Sequence, residues 1–585
     1  MSFPALRTLK RFLPFMAWLP YVNRRTLRAD ALAGITVALV VIPQSLAYAQ
    51  LAGLPPYYGL YAALVPTVVG ALFGSSAQLS TGPVALTSLL TAASIAPLAP
   101  LGGEQYIALA VAVALLSGIF QVGFGALRLG VLMNLLSHPV LMGFVNAAAI
   151  LIGLSQLPSL LGLPPPASGH ALSDTWRTIS SVDRAHLLSL AFGGTAIALL
   201  VAFRRFAPRW PGVLVTVAVL TAASHLLGFG AGGGRIVGDI PHGLPGFGLP
   251  AVQWDTWIAL LPASFAIAVI SFMEAMSSAK IAAVKTASRW NENQELIGQG
   301  LAKIAAAFSQ TMPVSGSFSR SALNLAANAL TGMSSLICAA CVLVALLFFT
   351  PLLRHLPLPV LAAIIVMALW NLVNVRALRH AWQASADDAL AALLTFAATI
   401  AFAPQIQNGI FTGILASLAL FVYRRMWPRV TVAEPASEAL ARELPKEHAQ
   451  ALRVVLGLVR FDASLVFVNV SYFEQAVLRL ESRYPNVRYI VISAYAINSI
   501  DASGAETLSS LVEGLNKRGI TLVFTGVKPQ VQDVLQRTGL AQRIGAGNFY
   551  ETDYAAMVAL AGREATRVAS APADGARLPA APAGG

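Results

Sequence analysis

Cysteine occurs only twice in this chain of 585 residues, as Cys338 and Cys341. That scarcity excludes a disulfide framework and a cysteine-rich structural zinc site. The pair has CxxC spacing but lies inside an apolar segment, where two small packing residues is the simpler reading. The eight histidines show no metal-ligand spacing, and no nucleophile stands near a general base. Hence no catalytic residue is assigned, no metal or cofactor is expected, and the chain does not read as an enzyme. Charge is also scarce. Asp, Glu, Lys and Arg make up 11% of the chain, against about 25% in soluble proteins, which excludes a soluble globular protein for most of its length. The net charge of +13 does not indicate a nucleic-acid partner, because the basic residues cluster at the ends of apolar runs. They read as topology signals beside a lipid bilayer.

What is abundant is apolar sequence, 56% of the chain. Stretches of helix-spanning character fall at about 31–50, 57–74, 82–95, 105–127, 131–155, 186–203, 212–229, 257–277, 295–311, 317–330, 334–352, 359–373, 387–403 and 406–423. That makes fourteen, and the third and tenth are half-length. Arg24, Arg25 and Arg28 precede the first; Arg128, Arg204, Arg205, Lys280, Lys285, Arg376, Arg379, Arg424 and Arg425 follow even-numbered ones. All then lie on one side, so both termini are expected in the cytoplasm. Residues 1–30 are expected to form a cytoplasmic segment, its Phe12, Phe15 and Trp18 suited to the membrane interface. Residues 31–425 form the membrane domain.

An internal repeat shows at three points. Pro139-Val140-Leu141 recurs as Pro359-Val360-Leu361 (359 − 139 = 220), Thr81-Gly82-Pro83 matches Ser315-Gly316-Ser317 (315 − 81 = 234), and Gln44 falls opposite Glu274 (274 − 44 = 230). Similar offsets in the same order imply two halves of seven spans, and an odd number requires the second half to be inverted. Past Tyr423 the character changes. Residues 433–450 read as a charged, Pro-containing linker. Over 451–563, β-like runs at Val454–Val459, Leu465–Val470, Tyr489–Ser493 and Leu522–Thr525 alternate with helical stretches near 472–482, 503–518 and 528–539. This is a soluble α/β domain. The Ala-, Pro- and Gly-rich residues 564–585 read as a disordered tail.

The chemistry concentrates at the two half-length segments. The first opens on Thr81-Gly82-Pro83-Val84 and the second on Gly316-Ser317-Phe318-Ser319-Arg320. An arginine inside a bilayer costs about 2.5–3.5 kcal/mol even on lenient scales, and so marks function by default. Two inverted half-helices would aim their positive N-terminal ends at each other, and with Arg320 and the Ser319 hydroxyl they would attract a small anion. A second reading lets Arg320 snorkel to an interface. Gln44 and Tyr48 lie one turn apart on the first span and would line the same cavity; packing in the core accounts equally for Tyr48. Glu274, a carboxylate in an apolar span, is a proton-carrier candidate or a structural partner of Arg320 or Lys280.

Pro43-Gln44-Ser45-Leu46-Ala47-Tyr48-Ala49, Leu54-Pro55-Pro56-Tyr57-Tyr58-Gly59-Leu60-Tyr61, Asn293-Gln294-Glu295-Leu296-Ile297-Gly298 and Pro313 to Ser321 together resemble the signatures of SulP sulfate permease-type anion transporters. Ile497-Asn498-Ser499-Ile500-Asp501-Ala502-Ser503-Gly504 is similar to the signature loop of the STAS domain that such proteins carry. The resemblance spans about residues 20–560. It implies a fourteen-span, seven-plus-seven inverted-repeat fold with a core domain moving against a gate domain, a homodimer, and an anion site on Gln44, Tyr48, Val84, Ser319 and Arg320. In the STAS loop Asp501, Ser503 and Gly504 keep the family pattern, whereas Ala502 replaces the first serine of phosphorylated regulators.

The function so implied is secondary active import of a small inorganic anion, sulfate by proton symport, across a bacterial-type inner membrane. Sodium-coupled bicarbonate import, chloride–bicarbonate exchange and dicarboxylate uptake suit the same cation and dipoles. A reading of another class makes the membrane part a receptor or scaffold, with the STAS domain engaging a cytoplasmic partner.

Overall fold

The computed structural model describes residues 13–130, 137–164, 171–207, 210–238, 243–248, 250, 252–370, 373–433, 452 and 455–569. The chain divides into two compact units, Met1–Ser417 and Leu418–Gly585.

Within the described residues each of the fourteen apolar stretches overlaps a helix: α1 (Arg24–Leu51), α2 (Val65–Phe73, after a short turn of helix at Tyr58–Ala62), α3 (Ala85–Ile95), α4 (Glu104–Ala126), α5 (His138–Ser155), α6 (Leu187–Phe206), α7 (Gly212–Leu226), α8 (Trp254–Thr286), α9 (Glu292–Phe308), α10 (Phe318–Ala326), α11 (Met333–Val344, continuing to Leu353), α12 (Leu358–Leu369), α13 (Ala386–Ala401) and α14 (Gln407–Met426). Among the described residues, seven helices are long and apolar enough to cross a membrane by length and composition. At 1.5 Å per residue α3 and α10 reach only about 16 and about 14 Å, half of a bilayer's hydrocarbon core.

α1 starts earlier than its hydrophobicity suggests. Asn23 and Thr26 form a capping box, with the Asn23 side chain accepting from the Arg25 and Thr26 N–H groups, so residues 24–30 belong to the first helix rather than to a preceding segment. Trp18, placed at the interface from sequence, packs its ring over Gly332. Phe12 lies outside the described residues.

Two sets of helix contacts stand out in this unit, and α1 packs on α12 and α7 as well as on α11. In one, α9 packs against α4 and α2, α8 against α4, and α11 against α1; in the other, α5 packs against α13, and α6 against α12 and α7. Between α2 and α3 runs β1 (Ser80–Gly82), and before α10 runs β2 (Ser315–Ser317). These two short strands pair antiparallel, Ser80 with Ser317, Thr81 with Gly316 and Gly82 with Ser315. The pairing ties the N-terminal ends of both half-helices together.

The second unit holds a five-stranded sheet in the order β3 (Val430–Ala433), β4 (Leu456–Phe461), β5 (Tyr489–Ser493), β6 (Thr521–Thr525), β7 (Phe549–Tyr550). All neighbouring pairs are parallel except β3 with β4. α15 (Val470–Arg483), α16 (Ala502–Lys517) and α17 (Pro529–Arg537) bury Phe473, Val477, Leu508, Leu515 and Leu535 against one face of the sheet. α18 (Asp553–Ala569) covers the other face with Met557 and Leu560.

Leu465–Val470 does not form the strand that its apolar run suggests. Leu465 makes one bridge to Ile500, and Asn469 then folds the chain into a turn, accepting from Val466 N–H at 3.0 Å and donating to Ser464 O at 3.0 Å. α18 runs to Ala569, so residues 564–569 are helical and the tail boundary drawn from composition falls inside a helix. Of the 433–450 linker, Ala433 ends β3; residues 434–450 and 570–585 lie outside the described residues.

Candidate functional site

Small and hydroxyl residues let β1 and β2 cross in a crowded place. A Cβ on Gly316 would come within 2.9 Å of the Ala275 side chain on α8, and one on Gly82 would stand 3.1 Å from Arg320 Nη2. The crossing is held by side chains around it. Thr67 donates to Thr81 O at 2.8 Å, Ser80 N–H to Ser321 Oγ at 2.9 Å, and Ser315 Oγ to Ser271 O at 2.8 Å.

Arg320 is 2% exposed, and that decides between the two readings of it: the side chain does not snorkel. It extends from the first turn of α10 across to the opposite repeat. Nη1 donates to Pro83 O at 2.7 Å and Nε to Ser80 Oγ at 3.4 Å, while Nη2 has no protein partner. One edge of the guanidinium therefore braces the strand before α3, and the other presents an unmatched donor.

The remaining sequence-predicted residues gather around this cation to different degrees. Val84 is the extended N-cap of α3 and is buried. Ser319 lies on the first turn of α10 and is exposed, its hydroxyl 3.5 Å from Ser317 Oγ. Tyr48 is buried on α1 and lies within electrostatic reach of both Arg320 and Glu274. Gln44 precedes it by one turn, and its buried Oε1 has no partner. Glu274 on α8 feels the charges of Arg320 and Lys303, and its buried Oε2 is likewise unmatched. An unmatched guanidinium donor, two helix N-termini and polar side chains form a set chemically suited to a small anion.

Several polar residues around the crossing escaped sequence reasoning. Asp30, fully buried on α1, accepts from Leu330 N–H at 2.7 Å, Thr331 N–H at 3.1 Å and Thr331 Oγ1 at 2.5 Å, tying α1 to the turn after α10. From sequence it fell in the cytoplasmic segment drawn over residues 1–30. Glu295 accepts from Ser75 and Ser76 N–H at 2.8 and 2.9 Å, and Gln299 Nε2 bridges Glu295 to Thr81 Oγ1. Lys303 is fully buried. The rule that singled out Arg320, an ionisable group inside an apolar span, applies equally to Glu295 and Lys303.

In the second unit Asp501 caps α16. Oδ1 accepts from Gly504 N–H at 2.8 Å and Oδ2 from Phe467 N–H at 2.7 Å. A Cβ on Gly504 would meet Leu465 O at 2.6 Å, so the close approach there requires glycine. Ser503, on the same turn, is exposed. Cys338 and Cys341 are free thiols, the first buried.

Comparison with known proteins bears on both units. The model of the sulfate permease family matches residues 27–395, and that of the STAS domain residues 448–556. A probable sulfate transporter 4.2 of Arabidopsis thaliana is 33% identical over 557 residues, 92% of this chain and 82% of that one. A probable sulfate transporter of Mycobacterium tuberculosis is 34% identical over 541 residues, 91% and 94% of the two chains. Among solved structures, murine solute carrier 26 family member A9, an anion transporter in the inward-facing state, superposes with a TM-score of 0.87 at 20% identity, covering 96% of this chain and 95% of that one; this likeness speaks for the fold. With the family model covering well over half of its length and relatives above 30% identity along nine-tenths of it, the chain belongs to the sulfate permease family of multi-pass membrane transporters and carries a STAS domain.

Proposed function

We propose that this protein is a secondary active transporter that imports a small inorganic anion, sulfate foremost, together with protons. The observation that carries the reading is Arg320: a buried guanidinium at the crossing of two half-helices, with Nη2 unmatched and a carboxylate, Glu274, within its field. The anion lies between Nη2, the first-turn N–H groups of α3 and α10, and the side chains of Gln44, Tyr48, Val84 and Ser319. The names of the Arabidopsis and Mycobacterium relatives favour sulfate among the anions of suitable size.

Importing a divalent anion into a cell of negative interior is opposed by about 2.3 kcal/mol per charge per 100 mV. Protons carried on Glu274 offset that work. The membrane unit has fourteen spans in two inverted halves of seven, and the core group around α1, α3, α8 and α10 moves against the group around α5 and α13. The protein is a homodimer in a bacterial-type inner membrane with both termini cytoplasmic. The test is sulfate uptake into proteoliposomes under an imposed inward proton gradient. Wild type is stimulated by the gradient, whereas Glu274→Gln retains sulfate exchange and loses the stimulation. Stimulation of the variant equal to wild type would remove Glu274 from coupling, and no uptake by wild type would favour a receptor instead.

A further inference from the structure

Helix α9 carries Glu295, Gln299 and Lys303 four residues apart, which places them along one face. The first two serve β1 through Ser75, Ser76 and Thr81. Lys303 serves something else. Its Nζ donates to Gln121 Oε1 on α4 at 2.7 Å and to Ser271 Oγ on α8 at 2.8 Å. Gln121 Nε2 in turn donates to Ala268 O at 2.8 Å and Ser271 Oγ at 3.1 Å, which fixes the amide with its oxygen toward the lysine. Two acceptors held ready at hydrogen-bonding distance form a shell for an ammonium. A buried ammonium also needs an opposite charge, and the one whose field Lys303 feels is Glu274. Ser271 and Glu274 stand three residues apart on α8, on neighbouring positions of its surface.

We propose that Lys303 is a positioning residue for ion coupling, whose ammonium, seated on Gln121 and Ser271 one turn from Glu274, balances the Glu274 carboxylate and sets the proton concentration at which Glu274 is loaded. This rests on the proton-coupled reading above. The proton binds the Glu274 carboxylate on one side of the membrane and leaves it on the other. Lys303 holds its bonds to Gln121 and Ser271 while this happens, and no covalent bond to carbon changes. The groups facing Glu274 are few: Arg320 from α10, Tyr48 from α1 and Lys303 from α9. α3 and β2 carry no titratable residue. On α4, Glu104 and Tyr106 lie at the opposite end from Gln121, with the Tyr106 hydroxyl donating to Ala52 O at 2.7 Å. Asp255 and Lys280 of α8 itself are exposed.

Sulfate uptake against external pH tests this in proteoliposomes holding wild type, Glu274→Gln, Lys303→Met or Lys303→Arg. Without the neighbouring cation the carboxylate takes up its proton more readily, so Lys303→Met moves the pH of half-maximal stimulation up by about one unit, and Lys303→Arg stays near wild type. A wild-type slope that Glu274→Gln abolishes and Lys303→Met leaves in place overturns the role of Lys303 alone. A flat wild-type profile overturns the coupling reading, and this inference with it. Should Lys303→Met fold too poorly to transport, the thermal stability of the detergent-solubilised variants decides. Recovery in Lys303→Met/Glu274→Gln over the single Lys303 variant supports the charge pair, and additive losses overturn it.

Discussion

Arg320 carries two jobs in one side chain. Its Nη1 bond to Pro83 O and Nε contact to Ser80 hold the strand ahead of α3, while Nη2 supplies an unmatched donor. Arg320→Ala therefore does more than remove charge: it strands the buried Pro83 carbonyl, at about 1–3 kcal/mol. The variant is expected to lose sulfate binding by isothermal titration and to melt at lower temperature. Arg320→Lys keeps the charge but cannot reach two acceptors and the ligand with one fork, so it retains part of the affinity and little of the brace. Unchanged binding by Arg320→Ala would remove this residue from the site. The residue was legible in the sequence because a permanent cation in an apolar span demands a reason. Its bond to Pro83 was not, because it joins positions 237 apart. Lys303 and Glu295 meet the same criterion as Arg320, yet Glu295 was read only as part of the motif at 293–298, and Lys303, beyond that motif, was not singled out.

The helices were legible from apolar length, and the two half-helices from their Gly, Pro and Ser openings. The strands β1 and β2 were not. Three residues carry no periodicity, and their pairing is a contact between distant parts of the chain. The start of α1 was written in Asn23 and Thr26, a capping signal that the basic run after it outweighed. Helix α9 owes its position to glycines that admit backbone contact on two sides. A Cβ at Gly298 would meet Gly74 backbone at 2.6 Å after α2, and one at Gly300 would meet Val122 N at 2.7 Å on α4. Small residues that let helices approach this closely are the means of association within a membrane. Because backbone cannot move aside as a side chain can, Gly298→Val should cost about 1–3 kcal/mol and pull Gln299 away from Thr81. The expected outcome is a lowered melting temperature in detergent together with weaker sulfate binding. Wild-type values for both would mean that α9 does not position β1.

The division between the units shows as an abrupt change in composition past Tyr423, and the structure divides the chain at Ser417 and Leu418, inside α14. The α/β pattern of the second unit was legible wherever strands alternate with amphipathic helices. It failed at Leu465–Val470, where the Asn469 turn overrides β-propensity, and at α18, whose Ala-rich end resembles the tail beyond it. That unit closes its own core on both faces of the sheet. Every proposed anion ligand, from Gln44 to Arg320, lies in the first unit. A protein ending near residue 430 should thus keep wild-type sulfate affinity and the same order of competition by bicarbonate, chloride and dicarboxylates, measured by displacement of labelled sulfate from purified protein. Transport rate and membrane abundance are expected to fall, while the order of competition stays as it was. A truncated protein with an altered order of competition would place part of the selectivity in the STAS domain and contradict this division of labour.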